Sequence, residues 1–77
     1  MSNQLNESQL RILRIHHLTR KVGLGRSAIY DRLDPDSPRH DPSFPKPINL
    51  GGRAVGFVEA EVDAWLATQI NKSRQHA

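Results

Sequence analysis

All five prolines of this 77-residue chain fall within one short stretch, at positions 35, 38, 42, 45 and 47, mixed with Asp, Ser and His. Proline holds φ near about −65° and removes an amide donor, so no regular helix can cross this stretch. It reads as a loop, and the segments on either side must pack together to make a core. That core is modest, because the chain supplies only twenty-two Val, Ile, Leu, Met, Phe, Tyr and Trp side chains. One domain is expected, with little room for an enclosed catalytic cavity.

Ahead of the loop, residues 1–9 are polar and aperiodic, and the expectation for residues 1–11 is a flexible tail. From Arg11 to Ile15 charged and apolar residues alternate, as in a short strand or an extended lead-in. A helix is expected from His16 or His17, with Leu18 and Val22 as its inner face and Gly23 as its stop. The next segment runs Val22-Gly23-Leu24-Gly25-Arg26-Ser27-Ala28-Ile29-Tyr30-Asp31-Arg32-Leu33. Gly23 and Gly25 can take the positive φ of a sharp turn, and a second helix can start at once. Its Ala28, Ile29 and Leu33 can face the first helix, which leaves Arg26, Ser27 and Tyr30 on the outer face of its opening turns. A helix-turn-helix presents base-reading side chains there. An αα-hairpin without a ligand fits these twelve residues almost as well.

After the loop, Ile48-Asn49-Leu50 and Val55-Gly56-Phe57 are two short β-prone runs joined by Gly51-Gly52-Arg53-Ala54. They predict a hairpin wing, with Pro45 and Pro47 on its exposed edge. Val58, Val62, Trp65, Leu66 and Ile70 then form one apolar stripe at helical spacing. Acids open this last helix and Lys72 and Arg74 close it, complementing its dipole, and residues 71–77 are expected to form a flexible tail. Ile29, Leu33, Leu50, Phe57, Val62, Trp65 and Leu66 are the expected core.

The net charge is only +3, but residues 1–33 carry +4, residues 34–47 carry −1 and residues 48–77 are neutral. Positive charge is therefore concentrated around the candidate reading helix, as a surface facing phosphate requires. Other chemistry finds little support. The chain has no cysteine, and its histidines at 16, 17, 40 and 76 do not share a ligand spacing, so neither a metal nor another cofactor is expected. No nucleophile, base and orienting group can be assembled, so the expectation is no enzyme. Gly51-Gly52 lacks the spacing and the Lys-Ser or Lys-Thr of a phosphate loop. No apolar run approaches a membrane span and no signal peptide is recognised, so a cytoplasmic location is expected.

Four blocks carry a resemblance: Gly23-Leu24-Gly25-Arg26-Ser27-Ala28-Ile29-Tyr30, Phe44-Pro45-Lys46-Pro47, Leu50-Gly51-Gly52-Arg53-Ala54-Val55-Gly56-Phe57, and Glu61-Val62-Asp63-Ala64-Trp65-Leu66. Together they resemble the AlpA-like family of prophage regulatory proteins. The resemblance implies a mainly α fold with a small β-hairpin wing over residues 12–70, a winged helix-turn-helix related to MerR-type and excisionase DNA-binding domains. It also implies a sequence-specific, double-stranded DNA-binding transcription regulator of a prophage or integrated mobile element. An excisionase-type directionality factor would use the same contacts, and a protein-interaction adaptor or inhibitor is the alternative of a different class. An integrase or RNA polymerase is the implied partner on DNA, and a monomer in solution is expected, with cooperative binding left open.

The chain departs from the family pattern in three places. Gly25 stands where a Ser or Thr cap is usual, Asp31 stands where a basic residue is common, and the stretch from Asp34 to Ser43 is longer than the usual connection. Arg26 is the first choice for base readout, since a guanidinium can take O6 and N7 of guanine together. Ser27 and Tyr30 are expected to complete the reading face, with Arg20, Lys21 and Arg32 positioning the phosphate backbone. Arg53 at the wing tip is expected in a minor groove or on phosphate, with Lys46 and Asn49 as lesser contacts.

Overall fold

A computed structural model describes residues 11–75; the expectations for residues 1–10 and 76–77 lie outside the described residues. The alternating lead-in is a strand, β1 (Ile12–Leu13), followed by α1 (Ile15–Val22) and α2 (Arg26–Leu33). Beyond the proline-rich loop come β2 (Ile48–Gly51), β3 (Ala54–Val58) and α3 (Glu59–Gln75). The three strands form an antiparallel sheet in the order β1-β3-β2, so the expected two-stranded wing gains a third strand from the N-terminal side. Ile12 is opposite Val58 and Leu13 opposite Phe57, and the Glu59 amide donates to the Arg11 carbonyl at 2.9 Å where β3 gives way to α3.

α1 starts at Ile15, earlier than His16 or His17, because Ile15 joins Leu18 and Val22 on the side that packs into the core. Gly23 ends α1 at φ 73°, and its amide donates to the Thr19 carbonyl at 2.9 Å. This left-handed cap is the conformation that favours glycine. Gly25 behaves differently from expectation. It lies at φ −75° and ψ 170°, ordinary extended backbone, because the turn is completed at Gly23 and Gly25 only has to lead into α2 as its N-cap.

Leu13, Leu18, Ile29, Phe44, Phe57, Val62 and Trp65 are buried, with Leu33 and Leu66 partly buried against them. Leu50 does not belong to this core. It is 44 % exposed, because β2 is the sheet edge and none of its residues is covered. Its side chain instead lies over Gly56, where a Cβ would fall 3.1 Å from Leu50 Cδ1 and would also collide with the Ile12 side chain. Ile70, counted in the apolar stripe, is also exposed, and α3 continues past it to Gln75. Val58 ends β3 rather than opening the helix.

The loop is built, not merely tolerated. Asp34 accepts from the Asp36 amide at 2.9 Å, Ser37 Oγ from the Arg39 amide at 3.1 Å, and Arg32 O from the Asp41 amide at 2.9 Å. These turns satisfy backbone donors that the prolines prevent from entering a helix. They deliver Phe44 to the core, its ring edge-on to Trp65 at 4.8 Å between centroids. Pro45 is buried beside it, so of the two prolines assigned to the wing's exposed edge only Pro47 is exposed. The result is a three-helix body with a small β-wing, a winged helix-turn-helix. Among the described residues no helix is long and apolar enough to cross a membrane.

Candidate nucleic-acid interface

Burial of Ile29 fixes the rotation of α2, since this residue is fully inside while Leu33, one turn on, is partly covered. Arg26, Ser27 and Tyr30, neighbours on the helix surface at i, i+1 and i+4, are exposed together at its opening turns. Tyr30 is 53 % exposed, so it is a surface tyrosine and not a half-buried core residue. Neither α1 nor α2 has an acid in its first turn or a side-chain cap, whereas α3 opens with Glu59 and Glu61. Free amides and the positive end of the dipole are left at the start of α2, which suits an approaching anion.

Positive charge gathers around His16. Its imidazole is held below the usual histidine range by the adjacent His17, then by some loss of solvation from neighbouring groups, then by Arg20, Arg26 and Arg14. The two rings lie 3.9 Å apart between centroids. Among the described residues no carboxylate pairs with Arg14, Arg20, Arg26 or Arg53. Arg14 and His16 were not singled out as contacts from sequence. The signal available was Arg14's place just ahead of a helix that starts earlier than expected.

Arg53 of the wing and Tyr30 of α2 line the same cleft, together with Arg14 and His16. Three separated parts of the chain therefore converge. Other expected contacts have different surroundings. The Lys21 ammonium is 2.7 Å from Glu59 Oε2 and 2.8 Å from Asp63 Oδ1, so it is neutralised within the protein, and its proton is held more tightly through the hydrogen bonds to Asp63 and Glu59. Arg32 folds back along α2, donating to the Ala28 carbonyl at 2.9 Å. Asn49 Oδ1 accepts from the Gly51 amide at 2.6 Å and shapes the wing turn. Lys46 lies in a separate groove beside Trp65 and Glu61. Asp31, where a basic residue is common in the family pattern, has Arg39 of the proline-rich loop 3.6 Å away.

The family described as "Prophage CP4-57 regulatory protein (AlpA)" matches residues 11–70, from β1 through most of α3. The chain belongs to this AlpA family. A relative in Escherichia coli (strain K12), named "DNA-binding transcriptional activator AlpA", is 50% identical over 62 residues, covering 80% of this chain and 89% of that protein. A second relative, "Uncharacterized protein ORF88" of Enterobacteria phage P4, is 35% identical over 63 residues, covering 82% of this chain and 65% of that protein. No solved structure matches significantly. The AlpA match spans all four sequence blocks that carried the resemblance, including the whole turn, α2 and the wing.

Proposed function

We propose that this AlpA-family chain is a sequence-specific DNA-binding regulator of transcription from a prophage or integrated mobile element. The observation that carries the proposal is the continuous exposed face of Arg26, Ser27 and Tyr30 on a helix start without acids, together with a wing Arg53 that has no carboxylate partner among the described residues. In this reading α2 enters the major groove, where Arg26 takes a guanine edge and Ser27 a base or phosphate oxygen. Arg53 enters the neighbouring minor groove or grips its phosphates. Arg20, Arg32, Lys46 and Asn49 are secondary backbone contacts, and Lys21 is assigned instead to its surface ion pairs with Glu59 and Asp63. Transcription is preferred over excision because the 50%-identical relative is named a transcriptional activator. Binding, not turnover, is the activity, with duplex DNA the partner and RNA polymerase the next component of the complex.

The test is a gel-shift titration of the full chain against fragments of its own locus at several salt concentrations. With about five phosphate contacts, log affinity should fall against log salt with a slope of about −4 to −5. A protein for which no locus fragment outcompetes random duplex is not a sequence-specific regulator.

A further inference from the structure

The cleft shared by Tyr30 and Arg53 has a volume of about 320 Å³. Arg14 and His16 contribute from the start of α1, and Pro47 and Val55 from the wing. Its character is mixed in a particular way. Arg14 and Arg53 supply charge from two different elements, and neither has a carboxylate partner among the described residues. Pro47 and the exposed Val55 supply apolar surface to the same cleft. Among the described residues no acid lines the cleft.

We infer that this cleft seats the sugar-phosphate backbone of the DNA strand running between the two grooves, with Arg14 as a phosphate contact together with Arg53. The inference rests on the DNA reading above and names the part of the duplex that occupies this surface. Adjacent major and minor grooves are separated by one strand's backbone, so a protein with a helix in one and a wing in the other must accommodate that strand between them. The cleft lies at that position. A backbone also combines anionic phosphates with apolar deoxyribose faces, and the cleft combines the cations Arg14 and Arg53 with apolar surface from Ile15, Leu33, Pro47, Val55 and Phe57. Tyr30 places its hydroxyl on the same strand from the α2 side.

The experiment uses the full chain, parent and Arg14→Gln, with duplexes of its own locus in which single phosphates are replaced by neutral methylphosphonates. Arg14 is exposed and enters α1 through its backbone, so circular dichroism of the variant should match the parent. Arg14→Gln should weaken specific and random duplex by the same factor, about tenfold, with base preference unchanged. The salt slope should become shallower by about 0.9. One methylphosphonate position should weaken the parent and leave Arg14→Gln unaffected. A parent that is specific, with a variant that keeps the parental salt slope and no such position, overturns the cleft assignment and leaves the regulator reading standing. A parent without preference for any locus fragment overturns both. Competition by poly-glutamate as effective as by duplex of equal charge would make the cleft a general anion surface, and the assignment would also fall.

Discussion

Trp65 Nε1 donates a hydrogen bond to Asp41 Oδ2 at 3.1 Å, tying α3 to the loop that holds every proline. The other carboxylate oxygen, Asp41 Oδ1, accepts from the Ser43 amide at 2.9 Å and its hydroxyl at 2.6 Å. One side chain thus shapes the loop and anchors it, with Phe44 stacked edge-on to the same indole.

Asp41 should make stability depend on acid. Burial pushes its carboxyl upward, but the hydrogen bonds from Ser43 and Trp65 and the charge of Lys72 together outweigh this and leave it below the usual carboxylate range. A folded value below the unfolded one means that the contribution is complete above about pH 4 and is lost as pH falls through the folded value. Asp41→Asn should cost about 1 kcal/mol at pH 7 and flatten the acid limb of the stability profile. Urea unfolding at pH 7 and pH 3 measures both; equal midpoints for parent and variant at pH 7 would contradict the anchor.

Arg26 and Arg53 should fail differently. Arg26→Ala should relax preference at one base pair by about 1 to 3 kcal/mol, whereas Arg53→Ala should weaken all duplexes more evenly. Competition binding with single-base operator variants separates the two, and matching losses would refute the division between reading helix and wing.

Lys21→Ala should lower the thermal midpoint of unfolding and leave the salt slope of DNA binding unchanged, since its ammonium is already paired with Glu59 and Asp63. A slope shallower by the value of one phosphate contact would return Lys21 to the DNA surface.

The two glycines of the turn should respond in opposite directions. Gly25 sits at an N-cap with ordinary φ and no neighbour within 4 Å of an added Cβ, so Gly25→Ser should stabilise by a few tenths of a kcal/mol through a new cap. Gly23→Ser meets no clash either, but at φ 73° it should cost about 1 kcal/mol. Thermal unfolding of both variants decides it; equal signs would mean that backbone conformation does not govern this turn.

DNA affinity should rise as pH falls through the histidine range. His16 is held below its usual value by His17, some loss of solvation from neighbouring groups and the surrounding arginines, so in the free protein its proton is lost easily. Phosphate beside it would favour the charged form, and binding would then take up a proton. Anisotropy titrations between pH 5.5 and 7.5, ranges chosen about the ordinary value of about 6.5, should show a pH dependence that His16→Gln reduces. An equal dependence in both proteins would count against it.

Local patterns made most of the fold legible. Gly23 as a helix stop, the Gly51-Gly52 turn and the Val62, Trp65, Leu66 stripe are properties of neighbouring residues, and each reappears in the structure. Leu50 was misread because alternation identifies a strand but not whether anything covers it, and β2 lies at an uncovered edge. Phe44 was missed as core because it sits in an aperiodic loop, where burial leaves no repeating signature.

The sequence by itself determined the order of elements, the place of the turn and the wing, and the family to which the chain belongs, because these depend on residue type and short spacing. Only the tertiary structure decided which charges remain available. Arg14, silent in the chain, comes to line one cleft with Arg53, while Lys21 meets two carboxylates of a helix that begins thirty-eight residues later. The physical reason is that a charge's role is set by its nearest partners in space, and packing chooses those partners across distances that no local pattern spans.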